Sequence, residues 1–232
     1  MIGYCMLTLR QPVHPDVWRH YFKGDNSRLW VHSKRRHELG PFFAERSIPT
    51  QPTAWGDISI TRQMNRLATE AFKDKRIEKV VFISGQCLPA HQMRFVEGTL
   101  LSCPQSMLEV WDTPKRLPVK GNYPLAKSAT WMAIERKDWQ DIFVKDTTAD
   151  FEEVHIADEH YHIMRMMKAG RGFENYRVTY TDFPHLPGKP APHPRTFDVV
   201  NLPPDAKALF MRKVSRQSTL SPAYLHHMGI SK

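Results

Sequence analysis

The sequence predicts an α/β fold in which a central, mainly parallel sheet is flanked by helices. Three observations carry that prediction. The chain opens with a strand, helix, strand order, the arrangement from which parallel sheets are built. The run Lys79-Val80-Val81-Phe82-Ile83-Ser84 places four apolar residues together between charge on one side and Ser-Gly on the other, the mark of a strand covered on both faces. Between such runs lie segments with apolar residues at helical spacing.

Taken in order, residues 2–9 alternate small polar and apolar types rich in β-formers, and Pro12 and Pro15 end the run. Asp16 is placed to cap a short helix over 17–22, and residues 28–32 form a second strand leading into the basic cluster Lys34, Arg35, Arg36. Asp57 is placed to cap a helix over 58–73, where Ile60, Met64, Leu67, Ala68 and Ala71 share one face. The buried strand 79–84 runs into the turn Gly85-Gln86-Cys87. A strand over 130–134 leads into a helix over 135–145, and a further helix spans 158–168 with Gly170 as its stop. Residues 178–181 read as a strand, and the apolar and basic segment 208–214 follows the loop. The proline-rich stretch from Pro184 to Pro204 between them reads as an ordered irregular loop, and the basic residues after 214 as a tail without regular structure. Ligands in open α/β sheets collect at the carboxyl ends of the strands, so the turn after Ser84 and the basic stretch after His32 are the places to look for a site.

Composition narrows the function. The 232 residues carry 33 Lys and Arg against 24 Asp and Glu, a formal charge of +9, on a chain that is 41% hydrophobic and 11% aromatic. The charge therefore sits on a packed protein and suits nucleic acid, an acidic membrane surface or a phosphate-rich substrate. The longest apolar run is too short for a bilayer, and the first residues lack the pattern of a secretion signal. Three widely spaced cysteines, Cys5, Cys87 and Cys103, make neither a disulfide framework nor a CxxC motif, so a reducing, cytoplasmic setting and a soluble protein are expected.

The densest chemistry lies in Val154 to His162 (VHIADEHYH). His155, Glu159 and His162 stand at spacings of four and three with no further ligand group in range, a poor match to helical zinc motifs. An acidic first turn favoured by the helix dipole is the plainer reading. A carboxylate in that position is also suited to general-base work, and Glu159 is the candidate. The sequence contains no Asp-x-Asp pair of the kind that holds a nucleotide diphosphate through a divalent metal. If a nucleoside diphosphate binds, side-chain cations must neutralise it, with Arg177, Arg212 and Lys213 as candidates. P-loop, dinucleotide and nucleophile-elbow fingerprints are absent. The basic aromatic segment 18–37 matches no helix-turn-helix, RRM or zinc-finger pattern, which weakens the rival reading of a nucleic-acid-binding protein drawn by the +9 charge.

The order of several motifs resembles glycosyltransferase family 14, the family of core-2 and I-branching β-1,6-N-acetylglucosaminyltransferases and peptide xylosyltransferases, in its plant and microbial branch. The motifs are Trp55-Gly56-Asp57-Ile58-Ser59; the strand ending Ser84-Gly85-Gln86-Cys87-Leu88-Pro89; Ser128-Ala129 with Trp131 and Glu135-Arg136-Lys137; Asp158-Glu159-His160-Tyr161; Arg177-Val178-Thr179-Tyr180 with His193-Pro194; and Leu209-Phe210-Met211-Arg212-Lys213. Lys127 stands where the family often has Gly before the Ser-Ala pair. The resemblance implies a GT-A-like single domain over residues 1–216, followed by a basic tail over 217–232. It also implies inverting, metal-independent transfer from a UDP-sugar, with UDP-xylose and UDP-N-acetylglucosamine ranked first, to a hydroxyl of a glycan or glycoconjugate. No cofactor and no nucleic acid partner are expected, and peripheral membrane contact stays open. Carried over residue by residue, Glu159 is the base, and Arg177 and Lys213, with Arg212 beside them, neutralise the diphosphate. Trp55, Asp57, Ser84, Gly85, Gln86, Ser128, Trp131 and Asp158 are expected around the donor and acceptor. A relative that binds sugar nucleotide without catalysis is the other alternative.

Overall fold

Strand β1 (Ile2–Thr8) runs parallel to β2 (Leu29–Ser33) on one side and to β3 (Lys79–Ser84) on the other, with Tyr4 opposite Leu29 and Val81. The computed structural model describes residues 1–24, 28–184 and 193–230. Helix α1 (Pro15–Tyr21) crosses over between β1 and β2. After β2 come the single turn α2 (Pro41–Ala44) and then α3 (Ser59–Phe72), which leads to β3.

Side-chain alternation on the two central strands explains why their sequences read as nearly continuous apolar runs. Tyr4 and Met6 of β1 join Val81 and Ile83 of β3 in one core cluster with Trp18 and Phe22. Cys5, Val80 and Phe82 enter the other cluster with Met64 and Leu67 of α3. At the start of β3, Lys79 is buried. Its Nζ donates to the carbonyls of Leu100 (2.8 Å), Cys103 (2.7 Å) and Gln105 (2.8 Å), at and just beyond the C-terminal end of α4 (Met93–Ser102), and so satisfies acceptors that a helix end leaves open.

Short strands complete the architecture. These are β4 (Leu88–Pro89), β5 (Met107–Leu108), β6 (Val110–Trp111), β7 (Lys127–Ser128), β8 (Ala133–Glu135), β9 (Glu174–Asn175), β10 (Thr179–Thr181), β11 (Phe197–Val200), β12 (Phe210–Arg212) and β13 (Val214–Leu220). The main sheet has the order β2-β1-β3-β8-β5-β9 and is parallel except on either side of β8. A three-stranded sheet β10-β12-β4 and the pairs β6-β7 and β11-β13 build its flank. The expected fold class, a mixed α/β sheet flanked by helices, is the one observed. No helix among the described residues is long and apolar enough to cross a membrane.

Several local expectations are corrected. Asp16 does not cap α1: His14 holds the cap position in the left-handed region (φ 43°) ahead of Pro15, and Asp16 pairs instead with Arg19. The expected helix 135–145 is one α-turn, α5 (Arg136–Asp138), continued by a π-helical turn Trp139–Phe143. The helix expected from Asp158 starts at α6 (Tyr161–Lys168), because Ala157–Glu159 form a separate 3-10 turn and His160 breaks the spiral. Gly170 does follow it with φ +63°, as a left-handed stop requires. The residues after 214 form β13 and helix α7 (Pro222–His227), not a structureless tail. Ser221 caps α7 by accepting from the Tyr224 N–H (3.1 Å), and buried Tyr224 donates its hydroxyl to the Pro89 carbonyl (2.9 Å). Within the proline-rich stretch, β11 is regular structure, and residues 185–192 lie outside the described residues.

Candidate active site

The carboxyl ends of β1, β2 and β3 open into a cleft of about 980 Å³. Its floor is the turn after β3. Ser84 Oγ accepts from the Gln86 N–H (2.9 Å), and the Gly85 N–H donates to the Leu7 carbonyl (2.8 Å). A side chain at Gly85 would bring its Cβ within 2.0 Å of Thr8 Oγ1, so the close approach of β1 demands glycine there. Across the turn, the Val214 N–H donates to the Gln86 carbonyl and the Phe197 N–H to the Lys213 carbonyl, both at 2.9 Å, which fixes the backbone of Lys213 beside the floor.

Charge in the cleft is lopsided. Arg212 and Lys213 come from the β12–β13 junction, Arg10 and Lys34 from the loops after β1 and β2, and Arg216 from β13, against the two carboxylates Asp158 and Glu159. Such a lining favours an anionic group. The Arg212 guanidinium lies over the Trp131 ring, 5.1 Å from its centre, within cation–π range.

The two carboxylates differ. Asp158 is buried, its Oδ2 accepts from Thr130 Oγ1 (2.8 Å), and burial pushes its pKa above the usual carboxylate range. The solvated first turn expected for it is therefore corrected. Glu159 reaches the cleft and pairs through Oε2 with Lys127 Nζ at 3.0 Å. Lys127 also sits 5.3 Å from the centre of the Trp111 ring. On the rim, Trp55 is 69% exposed and meets His155 and His193 edge-on at 5.3 and 6.1 Å.

Trp55, Ser84, Gly85, Gln86, Trp131, Asp158, Glu159, Arg212 and Lys213 therefore share one cleft. Three expected members do not line it. Arg177 does not: its Nε donates to Glu109 Oε1 (2.7 Å) and its Nη1 is 3.9 Å from Asp205, and these carboxylates, outside the cleft lining, also raise its pKa. Asp57 accepts from the Ser59 N–H (2.8 Å) at the start of α3, and the bonds from Ser59 hold its carboxyl below the usual range. Ser128 is fully buried in β7 behind the wall. The histidines of the 154–162 segment also disperse. His160 Nδ1 bonds the Ala126 carbonyl (2.7 Å), and His162 enters the core with Nε2 on Asn65 Oδ1 (3.0 Å). Among the described residues, no three His, Cys, Asp or Glu side chains converge as metal ligands. Sequence reasoning did not place Arg10, Arg216 or the Lys127–Glu159 pair in the site, and only the basic cluster after His32 pointed toward Lys34.

No family model matches the chain. A curated rice protein, Glycosyltransferase BC10 of Oryza sativa subsp. japonica, is 25% identical over 138 residues. The match covers 52% of this chain and 35% of the rice protein, so it spans about a third of that relative's length. Among solved structures, a putative glucose-1-phosphate thymidylyltransferase from Bacillus anthracis in complex with sucrose aligns with TM-score 0.40 and 13% identity over 75% of this chain and 86% of its own. A CMP:2-keto-3-deoxy-manno-octonic acid synthetase complexed with CTP aligns with TM-score 0.34 and 12% identity over 75% and 88%.

Proposed function

We propose that the protein is an inverting glycosyltransferase that moves a sugar from a UDP-sugar to a hydroxyl of a glycan, with side-chain cations in the role a metal ion would fill. The observation that carries this reading is the meeting of Glu159 with Arg212 and Lys213 in one cleft at the carboxyl ends of the sheet. The partial likeness to the rice glycosyltransferase and the order of the sequence motifs support it. The acceptor oxygen attacks the anomeric carbon as the bond from that carbon to the phosphate oxygen breaks. Glu159 takes the hydroxyl proton, and the bonding electrons leave with UDP. Lys213 and Arg212 stabilise the charge that builds on the departing diphosphate, and the absence of an Asp-x-Asp pair fits that division of labour. UDP-xylose and UDP-N-acetylglucosamine are the donors to test first.

Glu159→Gln keeps the shape and removes the base. Transfer is expected to fall by about 100-fold or more while UDP affinity holds. Full transfer in that variant removes Glu159 from the role. Equal turnover with EDTA and with manganese is expected, and strict dependence on added metal overturns the cation argument.

A further inference from the structure

Helix α7 is fastened to the segment after β4 at three points. Tyr224 donates its hydroxyl to the Pro89 carbonyl, Gln92 Nε2 donates to the His227 carbonyl (2.9 Å), and His227 Nε2 stands 3.2 Å from His91 Nδ1. The two imidazole rings meet edge to face with centres 5.3 Å apart, and Phe95 packs on the His91 ring at 4.3 Å. Neither histidine lines the cleft, and the transfer chemistry proposed above uses neither.

The hydrogen bonds fix which nitrogens are open. A carbonyl only accepts, so His91 Nε2 carries the proton it donates to Ala206 (3.0 Å), and His91 Nδ1 keeps its lone pair. Proteins prepare a metal-binding imidazole in the same way, with one nitrogen held on a carbonyl and the other turned to the ion. Burial, with His227 acting in the same direction, pushes the His91 pKa down, which keeps the ring neutral and able to ligate near pH 7. His227 donates from Nε2 to His91 Nδ1. Moving that one proton to His227 Nδ1 leaves two lone pairs facing each other and both rings still neutral.

The spacing then suits one ion. Two nitrogens bound at about 2.0–2.1 Å stand about 3.4 Å apart at the tetrahedral angle and about 2.9 Å apart at a right angle. The observed 3.2 Å lies between those values, so tilting the rings admits an ion without parting them. A pair of imidazoles suits zinc, nickel or copper and not magnesium, calcium or manganese, which prefer oxygen. With no third His, Cys, Asp or Glu converging among the described residues, the remaining positions fall to water.

We propose that His91 Nδ1 and His227 Nε2 form a binding site for a late first-row divalent metal ion, which takes the place of the proton between the rings and staples α7 to the segment after β4. The site is independent of the glycosyltransferase reading. Its effect is on stability, because the ion binds the folded chain, where the two rings meet across 136 residues, and not the unfolded one.

The test titrates the untagged full chain with Zn2+, Ni2+ and Mg2+, following thermal unfolding and binding heat, beside His91→Gln and His227→Gln. The tightest zinc is expected to bind one per chain and to raise the melting temperature by about 5 °C or more at free metal a hundredfold above its Kd, with EDTA reversing the rise. Ni2+ is expected to act likewise and Mg2+ to have no effect. Each variant is expected to lose about tenfold or more in zinc affinity. No rise with zinc in the unaltered chain, an equal rise with Mg2+, or unchanged zinc affinity in either variant overturns the site. If one variant does not fold, the other carries the comparison, since each removes one of the two ligands.

Discussion

Lys127 Nζ stands 3.0 Å from Glu159 Oε2, and the Trp111 ring lies on the same ammonium at 5.3 Å. The proposed base is therefore held by a cation that is itself held by an aromatic face. His160, the next residue after Glu159, is tied through Nδ1 to the carbonyl of Ala126, and Asp158, the residue before Glu159, accepts from Thr130 Oγ1, so the two segments are joined on both sides of the ion pair. Lys127→Met is expected to lower kcat about tenfold with the donor KM little changed, since a loosened carboxylate spends less time aimed at the acceptor. Lys127→Arg should restore most of it. A donor KM effect without a kcat effect would place Lys127 on the nucleotide instead.

Arg177 and Lys213 separate cleanly in a binding experiment. Lys213→Ala should weaken UDP binding about tenfold or more, as expected for loss of a charge-assisted contact to phosphate. Arg177→Ala should leave UDP affinity within about twofold, because its guanidinium answers Glu109 and Asp205 outside the cleft. Equal losses in the two variants would mean that Arg177 leaves its carboxylates when nucleotide binds.

Trp55 presents a large aromatic face to solvent at the mouth of the cleft. Trp55→Ala should leave the melting temperature and UDP affinity unchanged and raise the acceptor KM about threefold to tenfold, the effect of losing one aromatic contact. Unchanged acceptor kinetics would remove Trp55 from the acceptor path.

Lys79→Met removes one buried and two partly buried hydrogen bonds, since the carbonyls of Leu100, Cys103 and Gln105 lose their shared donor. At about 1–3 kcal/mol for each buried group left unsatisfied, the fold should lose about 3 kcal/mol or more. For a chain of this size that lowers the melting temperature by about 6 °C or more. A melting temperature within about a degree of the unaltered protein would show that water reaches these carbonyls.

Acid stability has an assignable contributor in His162. Burial, with Arg165 acting in the same direction, pushes its pKa down to about 3, against an ordinary value of 6.5. Above pH 6.5 the ring is neutral in folded and unfolded chains alike and has no effect. Between pH 6.5 and 3 the unfolded chain takes up a proton that the folded one refuses, so stability falls by about 1.4 kcal/mol per pH unit from this group. His32 and His160, also shifted down by burial, add to the fall, whereas Asp158, shifted up, opposes it. Denaturant melts of His162→Gln from pH 7 to 4 should show a slope shallower by about one proton. An unaltered slope would mean that the native state protonates His162 at no cost.

What the sequence revealed and what it concealed divide by range. The central strands and α3 were legible because each carries its own pattern over a few residues. The turn at Ser84-Gly85-Gln86 followed from the rule that sites gather at strand ends. Arg177 could not be placed that way, because its position is settled by Glu109, 68 residues away in the chain. The end of the chain hid its structure for a related reason: β13 is mostly polar and α7 has only six residues, and they close on β11 and Pro89. Residue type and the resemblance both pointed to Glu159, and only packing revealed the lysine beside it.

The seating of Lys213 between Phe197 and the turn after β3 carries a consequence for biosynthesis. Part of the cleft lining comes from residues 7–10 and 84–86, which leave the ribosome early. Much of its basic part comes from residues 212–217, at the β12–β13 junction and in β13, followed by α7. A nascent chain can shape the first half of the sheet and still lack the cations Arg212, Lys213 and Arg216 of the cleft. Nucleotide binding should therefore appear late and abruptly in a series of stalled chains of increasing length, and a ligand that binds only the completed fold would rescue slow folders at their final step.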